Sequence, residues 1–128
     1  MKDDLKQLIR SLVKIDNKNL DKIVQCFKPR TVKRNTFLLP EGEICKEFYY
    51  VNKGCIRTYF ISKEAHEKTR FVILDNNIGT ALASFIFQKP SIEIVATLED
   101  TNLLAIWYNY FNADREKNLP YSIAAEQK

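Results

Sequence analysis

Between residues 30 and 107 the chain repeats one pattern: a short β-prone run, a turn signal, then another run. Residues 31–33 and 36–39 come first, closed by Pro40-Glu41-Gly42-Glu43. The aromatic-rich run 47–51 ends at Asn52-Lys53-Gly54. In the next run, 55–61, Ile56, Thr58 and Phe60 fall on one face and Arg57, Tyr59 and Ile61 on the other. A polar turn at 63–66 leads to a strand at 68–74. The alternating run 92–98 turns at Glu99-Asp100, and 103–107 closes the series. Strands this short have to stack to bury their apolar faces, so the regular spacing predicts an antiparallel sandwich or roll.

Helical spacing frames this β region. Leu5, Leu8, Ile9, Leu12 and Val13 form one stripe, with Asp3 and Asp4 favourably placed in its first turn. After a break at Asp16-Asn17, Leu20, Ile23, Val24 and Phe27 form a second stripe, which Pro29 stops. Residues 79–87 also read as a helix, apolar nearly all round and therefore expected to be buried against the roll. Residues 108–117 form a short helix carrying Tyr110 and Phe111, interrupted by Pro120, with a frayed tail at 121–128. The expected organisation is one domain, 1–128: a helical pair at 1–29, a β-roll at 30–107, and a short helix and tail at 108–128.

Composition narrows the chemistry. A chain of 128 residues suits one hydrophobic core, and 45% apolar with 28% charged residues is the balance of a globular protein. No run is long and apolar enough for a membrane span, and the charged N-terminal stretch is no secretion signal, so a cytoplasmic domain without membrane contact is expected. His66 is the only histidine and sits in a polar turn, which excludes multi-histidine metal centres within one chain. There is no G-x-S-x-G, P-loop or G-x-G-x-x-G, so no catalytic machinery is visible and no enzyme activity is expected. Cys26, Cys45 and Cys55 lack metal-ligand spacing and read as buried free thiols, although Cys45 and Cys55 flank one strand and could approach each other. The net charge of +4 is too mild to imply nucleic-acid binding, and the basic run 28–34 reads as a solvated turn and strand edge.

The order of these elements resembles the cyclic-nucleotide-binding domain, and more closely the effector domain of Crp/Fnr-type transcription regulators. Leu39-Pro40-Glu41-Gly42-Glu43, Tyr49-Tyr50-Val51-Asn52-Lys53-Gly54-Cys55-Ile56-Arg57 and Glu67-Lys68-Thr69 carry the likeness. So do Ile78-Gly79, Ser84-Phe85 leading to Lys89-Pro90-Ser91, and Ala96-Thr97-Leu98-Glu99-Asp100-Thr101. The resemblance implies a mainly β jelly roll (a double-stranded β-helix) with flanking helices. It also implies a phosphate-binding cassette starting at Gly79, a small-molecule effector, a homodimer and a role in transcription control.

In that family a Glu follows the cassette glycine and meets the ribose, and an Arg further on pairs with the cyclic phosphate. Here Thr80 stands at the Glu position and Pro90 at the Arg position, and no Arg occurs between Arg70 and Arg115. Losing a charged partner of a buried phosphate costs about 2–5 kcal/mol, which argues against ordinary cyclic-AMP binding. A cyclic nucleotide or another small anionic ligand is nevertheless the kind of effector implied. The candidate pocket is Gly79, Thr80, Ala81, Leu82, Ser84, Lys89 and Ser91, with Thr97 as a further hydroxyl and Tyr49, Tyr59 and Phe71 as aromatic walls. Alternatively Ala81, Leu82, Phe85 and Phe87 simply fill the roll, and the domain is a ligand-free interaction or dimerisation module. Beyond residue 107 no recognition-helix pattern appears, so no direct DNA contact is expected of this chain.

Overall fold

The computed structural model describes residues 2–110. Helices α1 (Lys2–Leu12) and α2 (Asn17–Cys26) form the expected pair, and Asp16 caps α2 by accepting a hydrogen bond from the Asn19 backbone N–H at 2.8 Å. Eight strands follow: β1 (Lys28–Val32), β2 (Phe37–Leu39), β3 (Glu47–Lys53), β4 (Ile56–Ile61), β5 (Glu67–Ile73), β6 (Asn77–Gly79), β7 (Ile94–Thr97) and β8 (Thr101–Trp107). A six-residue helix, α3 (Leu82–Phe87), lies between β6 and β7. No described helix is long and apolar enough to cross a membrane.

The strands pair antiparallel in two four-stranded sheets, ordered β1-β8-β3-β6 and β2-β7-β4-β5. The interior between them holds Val32, Leu39, Tyr49, Val51, Ile56, Ile73, Val95, Leu103 and Ala105, closed at one end by Ala81 and Phe85 of the α3 segment. Alternation sends Tyr50, Leu104 and Ile106 to the opposite face of the first sheet, where Leu5, Ile9, Leu20, Ile23, Val24 and Phe27 cover them. β3 and β8 are thus buried on both faces, which is why they read as near-continuous apolar runs. The second sheet buries only Tyr59, Ile94 and Ala96 on its outer side.

Several boundaries differ from the sequence reading. The β region begins at Lys28, because α2 already ends at Cys26; Pro29 sits in edge strand β1, where its missing N–H costs no ladder bond. The helix expected from Gly79 begins at Leu82, since Gly79 belongs to β6 and pairs with Tyr49. That helix is also not buried all round: Ser84 and Phe85 face inward, while Leu82 and Phe87 are exposed. β7 starts at Ile94 rather than Ile92, because the Ser91 hydroxyl donates to the Glu93 carbonyl and accepts from its N–H, holding the chain in a tight turn. Cys45 and Cys55 do not approach each other: the seven residues of β3 lie between them, about 20 Å of extended chain. Of the helix expected over 108–117, residues 108–110 are helical; the remainder, with Pro120 and the tail, lies outside the described residues.

Candidate functional site

β5 and β6 are edge strands on the same side of the roll, and a cleft of about 310 Å³ opens there. Phe48, Phe71, Val72, Ile73, Asn77, Ile78, Gly79, Thr80 and Leu82 line it. Phe71 pairs with Thr58 across β4–β5, so both side chains project from the face that carries Val95 into the interior. The Phe71 ring is 59% exposed at the lip, whereas Thr58 is fully buried one strand further in and its Oγ1 has no hydrogen-bond partner. No lining residue carries an ionisable acid or base.

The cassette segment is held by its own side chains. The Thr80 hydroxyl donates to the Glu47 carbonyl at 2.7 Å and lies 3.0 Å from Cys45 Sγ, so it is turned toward β3. Ser84 Oγ accepts from the Cys45 N–H at 2.8 Å and donates to the Lys89 carbonyl, folding the loop after α3 onto the helix. Gln88, at φ 51° in the left-handed region, donates from Nε2 to the Cys45 and Phe85 carbonyls. Ser91 is fixed through backbone bonds to Gly42 and Glu43. Burial pushes the Cys45 thiol above its ordinary pKa, so it stays neutral beside Thr80. Burial next to the Glu47 carboxylate does the same to the Tyr49 phenol, whose oxygen donates to Glu47 Oε1 at 3.0 Å.

Of the residues named from sequence, Gly79, Thr80, Leu82 and Phe71 come together at the cleft. Ala81 is buried in the core beneath it, Ser84 and Ser91 brace the segment, and Lys89 is exposed to solvent. Thr97 pins the 33–36 loop, accepting from the Thr36 N–H and donating to the Lys33 carbonyl. Tyr49 fills the interior. Tyr59 lies apart, on the outer face of the second sheet, with the Arg57 guanidinium 3.8 Å from its ring centre. Glu93 is paired with Arg70 at 2.8 Å. Sequence reasoning missed Phe48, Val72, Ile73, Asn77 and Ile78 as lining residues; the last two belong to β6, which at three residues is too short to show a period. No cluster of metal-ligating side chains occurs among the described residues.

A two-sheet antiparallel roll with a helix-and-loop segment bordering an edge cleft is a jelly-roll architecture. The cyclic nucleotide-binding domain model matches residues 29–118, and the chain belongs to that family. No curated protein matches it. Among solved structures, the sensor domain of the transcriptional regulator DNR from Pseudomonas aeruginosa is 17% identical, with a TM-score of 0.74 over 98% of this chain and 85% of that one. The regulatory domain of Toxoplasma gondii PKA, solved with cAMP, is 20% identical at TM-score 0.76, over 88% of this chain and 43% of that one. A regulatory subunit of a cAMP-independent protein kinase A from Trypanosoma cruzi, bound to guanosine, is 9% identical at TM-score 0.69, over 77% and 35%. At these identities the likeness is one of fold. The chain spans less than half the length of both kinase regulatory chains.

Proposed function

We propose that this domain senses a small effector within a Crp/Fnr-type regulatory system linked to transcription control, and that the effector is not an ordinary cyclic nucleotide. The observation that carries this reading is the cleft lining, which contains no cation to meet a phosphate. Pro90 occupies the position where the family places Arg and forms a bridge with Ile44 instead, while the Thr80 hydroxyl is committed to β3. Burying a phosphate without a paired cation is strongly unfavourable. The related guanosine-bound kinase subunit, described as cAMP-independent, is consistent with an effector lacking that charge. The domain acts in the cytoplasm, as a homodimer and without catalysis.

A second reading, a ligand-free interaction module, is favoured by one feature. The outer face of the second sheet exposes Phe37, Ile61 and Val72 around Arg57 and Tyr59. Thermal melts with cAMP and cGMP test the first reading, since a ligand at a hundred times its dissociation constant stabilises by about 2.7 kcal/mol. Unchanged melts at millimolar cyclic nucleotide are expected. A clear rise would overturn the exclusion of cyclic phosphates.

A further inference from the structure

We propose that the cavity between the helical pair and the first sheet is a second effector site, taking a small uncharged aromatic or alkyl molecule. Leu5, Ile9 and Ile23 line it from the helices, Phe48, Ile78 and Ile106 from the sheet, and Phe85 from α3. Its volume is about 170 Å³, and every lining side chain is aliphatic or aromatic, so none offers a hydrogen bond or a charge. Protein interiors seldom keep a void larger than a water molecule, because side chains facing empty space lose their packing partners. An occupant restores those contacts. Enclosed apolar spaces of about 150 Å³ stay dry and take up benzene or xenon. Sites for drug-sized ligands run to about 300–1,000 Å³, so the space here holds one small ring or a short alkyl group.

The surroundings supply an entrance and a readout. Leu5, Ile9, Ile23 and Ile106 are buried, whereas Leu12 and Val13, which also line the cavity, are 58% and 38% exposed, so the space opens at the end of α1. The polar ties of α1 run to α2, through Lys6–Asp21 at 2.9 Å and Arg10–Asn17 at 2.6 Å. Toward the sheet α1 presents Leu5 and Ile9, apolar contacts that an entering molecule parts without breaking a hydrogen bond. Phe85 packs edge-on against Phe48 inside the lining, and Phe48 and Ile78 also line the β5–β6 cleft. An occupant therefore touches the helix that borders that cleft, whatever the cleft itself takes.

Calorimetry, thermal melts and hydrogen exchange on the full chain, with benzene, toluene, xenon and phenol as probes, test this. Toluene is expected to bind and to raise the melting temperature. Phenol, similar in shape, should bind at least tenfold more weakly, because nothing in the lining pairs with its hydroxyl. I9F, which pushes a ring into the void, should weaken toluene binding at least tenfold, and V13W, at the exposed mouth, about tenfold. F71A, which alters only the β5–β6 cleft, should bind toluene as the parent does. Toluene should also slow exchange at the α3 amides. Silence from benzene, toluene and xenon alike would overturn the site, as would equal binding of phenol and toluene. So would toluene binding that survives both I9F and V13W, or that is lost in F71A. Unchanged exchange at α3 in the toluene complex would overturn the effector role.

Discussion

Gly54 and Gly42 are both turn glycines with positive φ, at 129° and 88°, yet they differ in what surrounds them. A Cβ on Gly54 would come within 2.4 Å of Thr101 Oγ1 and 2.7 Å of the Thr101 Cα, whereas one on Gly42 would meet nothing within 4 Å. Thr101 cannot yield freely, since its hydroxyl accepts from the Cys55 N–H and donates to the Glu99 carbonyl. Gly54→Ala is therefore expected to lower stability by about 3 kcal/mol, and Gly42→Ala by about 1 kcal/mol, the cost of the left-handed backbone alone. Urea titration of the two variants checks the contrast. Equal losses would mean that the Thr101 contact relaxes. Both glycines are visible in the sequence as turn markers; the contact that separates them comes from a residue 47 positions away in the chain.

At the level of elements, α3 is too short to stand on intrinsic helicity and is held by what it touches. Phe85 packs edge-on against Phe48 and Tyr108, with ring centres 5.4 Å apart in each pair. Ser84 joins the helix to Cys45 on one side and to Lys89 on the other. Ser84→Ala removes both bonds and strands the buried Cys45 N–H, at an expected cost of about 2 kcal/mol. Hydrogen exchange at the α3 amides should quicken in that variant while β3 and β8 stay protected. Uniform acceleration would show that α3 does not open separately. The α2 cap is simpler: Asp16→Ala should cost about 1 kcal/mol, read as a lower urea midpoint.

Over the whole molecule, neutral acids buried in the fold give stability an alkaline limit. Burial raises Cys45 and Cys55 above the ordinary thiol value of 9.0, and Tyr49 above the ordinary phenol value of 10.0. In the unfolded chain these groups ionise first, so their contribution is complete below about pH 9 and is lost as pH climbs toward the folded values. The unfolding free energy is expected to be level from pH 7 to 8.5. Above pH 9 it should fall, by up to about 1.4 kcal/mol per pH unit for each group ionised only in the unfolded state. A Cys45→Ala, Cys55→Ala double variant should delay the fall toward the tyrosine range. An unchanged profile in that variant would remove the thiols from the account.

The alternation of short apolar runs with turns was enough, by itself, to determine an antiparallel sandwich or roll, and the two helical stripes a pair of amphipathic helices beside it, because backbone hydrogen bonding and hydrophobic burial leave few other ways to stack such strands. The choice of a roll came from the family resemblance. Gly79, Thr80, Leu82 and Phe71, named through the family resemblance, do line one cleft. Which way each side chain turns was not legible in the sequence. Thr80 faces β3, and Ser84 and Thr97 serve as braces, because each of these hydroxyls met a backbone group brought to it from elsewhere in the chain; Ser91 closes a local turn on Glu93, and Tyr59 lies on the outer sheet face. Asn77 became a lining residue only because β5 and β6, edge strands of two different sheets, are set side by side. Local sequence specifies period and turns, whereas a cleft is a relation between elements, and only tertiary packing decides it.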